Sequence, residues 1–264
     1  LDGLVALEVA AGRNTIPVTV GGRRLEFVYT DAPSFLYLTL SIGEDAISHE
    51  VPYSMLELPS RYDLGIDVGA HFGTYSVLLG ALNAFDLVCF EPSERNRRVL
   101  AANLIHNGID ATVDDRVVTG ADGEVAFYEG RKLASNDHTT RPAGAGVREA
   151  STRPAVSLST IIEEADASAV FVKIDAEGEE DGILGDLVSS DVELLTGLVE
   201  IHPELLEGEP ADVIRRLTDA GFRVETAPSI GNPVYRFTND PALAFGSARS
   251  GREPDETASP GGRT

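Results

Sequence analysis

At 264 residues, 42% of them hydrophobic, the chain can bury a core as one large domain or two small ones, and it has no apolar run of the ~18 residues that a bilayer span requires. A formal net charge of −22 argues against nucleic acid as a partner, since basic contacts supply most of the affinity for a phosphate backbone, and no basic stripe or aromatic stacking platform breaks the acidity. The single cysteine, Cys89, excludes an internal disulfide framework and a thiolate zinc cluster, and its apolar neighbours are those of an inert core thiol.

The N-terminus has neither the basic flank nor the apolar stretch of a signal peptide, so a cytoplasmic location is expected. Lysine occurs only at Lys132 and Lys173. The surplus of acid would repel itself in dilute salt but not in molar salt, where the Debye length is ~3 Å, and this suggests a halophilic protein.

In chain order, residues 1–60 read as a cap: TIPVTV and RRLEFVYT flank Gly21-Gly22, a hairpin signal, and a looser stretch leads to Pro59. From 61 to 245 strands alternate with helices. DLGIDVG is a strand, FGTYSVLLGALNA a helix, and DLVCFEP a second strand stopped by Pro92. Ser93 is placed to cap ERNRRVLAANLIHN, which Gly108 stops, and DRVVTG is the third strand. EVAFYEG is a small extra strand, and residues 130–155, polar and rich in Gly, Pro, Thr and Arg, read as a loop or lid. Thr160 and Glu163 form a capping box for the next helix. AVFVKID is a fourth strand buried on both faces, TGLVEIH a fifth, and PADVIRRLTDAG a helix before a closing antiparallel pair, FRVETA and PVYRFTN. Residues 246–264 read as a disordered tail. The order predicts an α/β fold with parallel crossovers and helices on both faces of a sheet.

The turn Asp67-Val-Gly69-Ala70-His-Phe-Gly73 carries the first functional signal. A strand running into a helix lets a ligand meet the helix N-terminus; Gly69, with Ala70 beside it, lets that ligand approach the backbone, and Gly73 permits close helix–strand packing. Two cofactors compete here. The dinucleotide fingerprint is G-x-G-x-x-G, whereas this spacing is G-x-x-x-G after an acid. Asp67 disfavours a pyrophosphate and suits the ammonium of S-adenosylmethionine, or it caps the helix. Glu91, 24 residues further on, ends the second strand where an acid accepts ribose hydroxyls, unless it is merely a solvated strand end. Asp122, after the third strand, could meet the adenine amine or be a turn acid beside Gly123.

IDVGAHFG, CFEPSERNRRVLAANL, GADGEVAFYEG, VSLSTIIEE, VKIDAEGEEDGILGD and VEIHP resemble, in order, the blocks of FkbM-type S-adenosylmethionine-dependent methyltransferases over residues 60–205. The most specific block is Lys173-Ile-Asp175-Ala-Glu177-Gly178. The resemblance implies a Rossmann-like class I methyltransferase fold with a mostly parallel seven-stranded sheet, to which residues 1–60, outside the resemblance, add a small β-containing cap. It also implies methyl transfer to oxygen, on a sugar or a secondary metabolite. His71 stands where the family often has Asn and Ser159 where it often has Asp, and Gly182 loosens the helix after the block.

In that fold the methyl group faces the ends of the fourth and fifth strands. Asp175 could orient an acceptor hydroxyl or take its proton, and His202, neutral near pH 7, is the first candidate for the base unless it is only a strand-end residue. Glu177 could bind the acceptor or favour a helix N-terminus, and Lys173 could hold an acid in place for structure or for catalysis. No metal is expected, although Asp175, Glu177, Glu200 and His202 could instead chelate a hard cation such as Mg²⁺. The expected acceptor is a sugar hydroxyl or uronic carboxylate in a glycan or lipid-linked saccharide, the latter with peripheral membrane contact. A small secondary metabolite, an NAD-dependent oxidoreductase and a non-enzymatic adenosyl-binding module are the rival readings.

Overall fold

The computed structural model of the chain describes residues 14–30, 34–35, 38, 53–130, 138–139, 147–206, 208–229 and 231–244. Strands β1 (Thr15–Val20) and β2 (Arg23–Val28) form the hairpin expected around Gly21-Gly22. There follow β3 (Leu64–Val68), α1 (Thr74–Leu82), β4 (Asp86–Phe90), α2 (Glu94–His106), β5 (Thr112–Asp114), β6 (Val117–Val118), β7 (Gly123–Gly130), β8 (His138–Thr139) and β9 (Val147–Val156). The chain continues through α3 (Leu158–Glu164), β10 (Ala169–Ile174), α4 (Glu180–Leu187), β11 (Leu194–Glu200), α5 (Pro210–Asp219), β12 (Arg223–Ala227) and β13 (Val234–Thr238).

The central sheet has seven strands in the order β12-β13-β11-β10-β3-β4-β5, and only β13 runs against its neighbours. Strand alternation sets its two faces. Leu64, Ile66 and Val68 of β3, with Val170, Val172 and Ile174 of β10, pack on one face against α3, α4 and α5 through Ile161, Ile183, Leu184 and Leu217. Phe171, Cys89 and Leu198 point to the other face and pack with Val77 and Leu79 of α1 and Val99 and Leu100 of α2. The helices therefore cover both faces, as the crossover order requires. Burial pushes the Cys89 thiol well above its ordinary pKa, as befits a core residue.

The chain leaves β3 toward β4 and β5 and returns to β10 on the other side of β3, so β3 and β10 flank the switch point, where ligands bind in open α/β sheets. Gly69 and Gly73 shape the turn there, with φ of 71° and 86°. A Cβ on Gly69 would lie 1.9 Å from the Asp175 carbonyl oxygen, so the glycine is required by the neighbouring strand's backbone before any ligand. A Cβ on Gly73 would lie 2.6 Å from Leu100 Cδ1, so it serves packing against the second helix rather than a strand.

Several expectations need correction. Asp114 ends the third sheet strand, and Val117-Val118 of the predicted DRVVTG strand pair instead with β9. The stretch 147–156, read as loop or lid, is a strand antiparallel to β7 in a separate four-stranded sheet, β6-β9-β7-β8. Its Pro and Arg content disguised a strand that lies between β6 and β7. Within the same predicted lid, Gly130 ends β7 and His138–Thr139 form β8, while its remaining residues, most of the cap and the tail lie outside the described residues. Ser157, not Thr160, caps α3, accepting from Thr160 N at 3.3 Å. Ser93 occupies the N-cap of α2 without a side-chain cap bond, because its N–H is held by Glu91 Oε1 at 2.8 Å. Gly182 does not break α4; it admits the backbone of Gly120, whose own Cβ would sit 2.7 Å from the Gly182 carbonyl.

The hairpin is fastened to α2 by two asparagines. Asn103 accepts from Val28 N at 2.5 Å and donates to the Phe72 carbonyl at 2.7 Å, while Asn107 accepts from Glu26 N and donates to the Glu26 carbonyl, each at 2.9 Å. Asn103 is fully buried. Asn103→Leu should lower unfolding free energy by about 2–4 kcal/mol, because it strands one buried N–H and one buried carbonyl. Urea unfolding followed by circular dichroism measures it.

Candidate active site

At the C-terminal ends of β3, β4 and β10 the sheet opens into a cleft. Gly69 and His71 form its floor, and Phe90, Glu91 and Asn96 one wall. Arg116, Val117, Val118 and Phe127 enter from the accessory sheet, and Asp175, Ala176 and Glu177 close the far side. His71 and Glu177 both hold φ near 50°, a left-handed conformation that costs non-glycine residues of order 1–3 kcal/mol and gathers at ligand sites.

Glu91 is suspended by backbone. His71 N donates to its Oε2 at 2.9 Å and Ser93 N to its Oε1 at 2.8 Å. Each oxygen keeps further acceptor capacity, which is what a ribose diol would use. Burial outweighs these bonds and raises the Glu91 pKa to about 7.

Asp67 does not reach the cleft. It is fully buried, takes Ser76 Oγ on Oδ2 at 2.6 Å, and faces Lys173 Nζ at 3.8 Å. Asp67 and Lys173 are register partners on β3 and β10, which is why they meet. Lys173, itself 5% exposed, donates onward to Asp175 Oδ2 at 3.1 Å and lies 5.0 Å from the centre of the Tyr75 ring. Burial alone would raise both acids. It prevails at Asp67, whereas Lys173 and His202 outweigh it at Asp175 and hold that carboxyl below its ordinary value.

Beside Asp175 stands His202. Its Nδ1 is 2.7 Å from Oε1 of Glu180, whose carboxylate also receives the Gly178 N–H at 3.0 and 3.1 Å. Its Nε2 faces Asp175 Oδ1, Glu200 Oε1 and Glu177 Oε1 at 3.6, 3.7 and 4.0 Å. Burial opposes charge on the ring, but Glu180, Asp175 and Glu177 prevail and raise its pKa to about 9. The expectation of a neutral imidazole at pH 7 is thereby corrected. Glu177 rises to about 8, through burial and then the charge of Asp175.

Of the residues singled out from sequence, Gly69, Glu91, Asp175 and Glu177 line the cleft. Lys173 and His202 back Asp175. Asp67, Ala70 and Gly73 lie beneath the floor. Asp122 does not face the cleft: its carboxylate accepts from Ser157 N and Thr160 Oγ1, each at 2.8 Å, and so serves the start of α3. Asn96, Arg116 and Phe127 escaped notice. Asn96 lies in the first turn of α2, five residues after Glu91, and was legible in principle; Phe127 depended on where the accessory sheet docks.

The donor set fits S-adenosylmethionine. Glu91 can hold a ribose, Phe90, Val117, Val118 and Phe127 offer apolar surface for a purine, and the carboxylates suit a cationic methionyl end. A sequence model of the methyltransferase FkbM domain matches residues 67–224. No curated protein matches the chain. Similar solved structures include precorrin-6y C5,15-methyltransferase from Geobacter metallireducens, 15% identical over 70% of this chain and 83% of that one, with a TM-score of 0.42. Another is the tRNA (uracil-54, C5)-methyltransferase of Pyrococcus abyssi in complex with S-adenosyl-L-homocysteine, 12% identical over 85% and 44% of the two chains, TM-score 0.41. A third is the ribosomal protein L11 methylase of Lactobacillus delbrueckii subsp. bulgaricus, 11% identical over 66% and 68%, TM-score 0.37. Among the described residues no helix is long and apolar enough to cross a membrane.

Removing the ammonium beneath this site exposes how strongly it is held. Lys173→Met should destabilise the fold by about 3–5 kcal/mol at neutral pH by stranding Asp67. The loss should shrink as pH falls toward ~3.9, where protonated Asp67 needs no counter-charge, and Asp67→Asn in the same chain should recover part of it. Denaturant midpoints across pH measure both.

Proposed function

The chain belongs to the FkbM methyltransferase family, and from that membership and its cleft we propose that it methylates a sugar hydroxyl, in a glycan or lipid-linked saccharide, with S-adenosylmethionine as donor. The observation that carries the reading is the acidic lining of the cleft. Asp175 is held ionised, Glu91 and Glu177 are raised to about 7 and about 8, and against these three acids stands the guanidinium of Arg116, which Asp114 already engages at 2.8 Å. Such a lining favours a sulfonium cofactor, whose positive charge would draw the raised acids into their ionised form, over the pyrophosphate of a dinucleotide.

When bound, S-adenosylmethionine supplies an activated methyl group on a sulfonium sulfur. The protein's part is orientation, exclusion of water and handling of one proton. Glu91 would receive the ribose hydroxyls. Asp175, ionised and held by Lys173, would accept a hydrogen bond from the acceptor hydroxyl and take the proton that the hydroxyl gives up on methylation. Glu177 and Glu200 extend the same acidic side and can accept from neighbouring hydroxyls. That acidity favours a neutral sugar over the uronic carboxylate that the resemblance also allowed.

Calorimetric titration in molar KCl tests the pocket: S-adenosylmethionine and S-adenosylhomocysteine should bind and NAD should not. Binding of NAD alone would sink the reading. Because Glu91 must be ionised to serve a diol, affinity should rise with pH up to about 7, by up to about tenfold per unit below it, and Glu91→Gln should flatten that window.

With an acceptor found by screening neutral sugars, uronates and small metabolites for release of S-adenosylhomocysteine, Asp175→Asn should slow turnover by about 10²–10⁴-fold. Its effect on S-adenosylhomocysteine affinity should be far smaller. Release only with non-sugar metabolites would reject the sugar acceptor.

A further inference from the structure

Beyond the cofactor cleft, the ends of β10 and β11 bring together a second set of groups. We propose that Asp175, Glu200 and His202, with Glu177 as a fourth contributor, bind one divalent cation beside the cleft. One ligand atom from each of the first three lies within 4.8 Å of the others. Asp175 comes from the end of β10 and Glu200 and His202 from the end of its neighbour β11, so the pairing of these two strands brings the set together.

The orientation of His202 is the independent observation. The residue is 4% exposed, and the Glu180 carboxylate, fully buried and already receiving the Gly178 N–H, can only accept from Nδ1. Nδ1 therefore carries a hydrogen and Nε2 is the end turned inward. There it meets three carboxylate oxygens at 3.6, 3.7 and 4.0 Å, each beyond hydrogen-bond reach. A proton on Nε2, favoured by these carboxylates in the metal-free protein, is within hydrogen-bond reach of none of them, and a cation would take its place among the same oxygens. An ion with ligand bonds of about 2.1 Å separates neighbouring ligand atoms by about 3.0–3.4 Å, so binding would draw these atoms inward from their 3.6–4.0 Å spacing.

The outer contacts are those of a metal site as well. Lys173 holds Asp175 Oδ2 at 3.1 Å and leaves Oδ1 turned toward His202, while Asn232 Nδ2 donates to Glu200 Oε1 at 3.1 Å. Glu180 does for the imidazole what a carboxylate behind a metal-bound histidine does, fixing its tautomer and ring angle. Two or three carboxylates with one imidazole select a hard to borderline ion of the Mg²⁺ or Mn²⁺ kind. Because Asp175 also lines the cleft, the ion would meet the acceptor oxygen and ease loss of its proton. That role rests on the methyltransferase reading; the binding itself does not.

The test is titration of EDTA-treated full-length protein with MnCl2, without acceptor or cofactor, following free Mn²⁺ by electron paramagnetic resonance. One site per chain is expected. Glu200→Gln should weaken it at least as much as Glu180→Gln, which touches no ion and should cost about 10- to 100-fold in affinity. Circular dichroism establishes that each variant is folded. Absence of Mn²⁺ binding in the folded wild type, or unchanged affinity in Glu200→Gln, would overturn the site. Saturable Mn²⁺ binding lost in both variants would support it, even in a protein that failed to bind S-adenosylhomocysteine.

Discussion

Opposite charges leave water for the middle of a sheet only when each finds the other, and Asp67 and Lys173 do so as register partners on β3 and β10. Slipping either strand by one residue would turn its charged side chain into the apolar layer of Ile66 and Val172 on the opposite face. The pair thus selects one register at the switch point. That register puts the Asp175 carbonyl against Gly69, where no Cβ fits, and brings the Lys173 ammonium to Asp175. The cleft floor, its glycine and its ionised acid all follow from one buried pair.

Much of this was legible in the chain. The apolar runs LGIDV and AVFVKI, the glycines that end helices and the strand–helix alternation lead to the sheet, and the FkbM match to residues 67–224 agrees with the resemblance carried by those blocks. Side-chain direction was harder. Period-two alternation tells that Asp67 opposes Ile66, but not which face carries the ligand, so an acid that stabilises a lysine read as one that meets a cofactor. Gly69 was marked for the close approach of a ligand, and the atom found against it belongs to a segment more than 100 residues away in the chain. Asp122 reads the same whether it faces a purine or the start of a helix; only docking of β9 against β6 and β7 decides. His202 looked neutral because the four carboxylates around it come from two separate segments of chain.

The cleft is also held under local strain on both sides. His71 and Glu177 adopt left-handed backbone without being glycine, and each sits three residues after a register-fixed strand end. The Glu91 carboxylate takes the His71 N–H, so part of the strain in that turn is offset by the residue assigned to ribose. A ligand on Glu91 and the conformation of His71 therefore share a hydrogen-bond acceptor.

The two strands at the switch point, β3 and β10, are adjacent in space but separated by about a hundred residues of chain. Contacts of such high sequence separation carry the largest loop-closure cost and form late. The first strand, with α1, β4 and α2, can collapse into half of a nucleotide-type fold on its own, holding Glu91 but not Asp175. Until β10 is inserted, Asp67 remains without Lys173 and the floor is missing one side. Nascent chains long enough to include Glu91 thus carry half a pocket, and the pocket is completed only once Lys173 and the strand around it are available to fold.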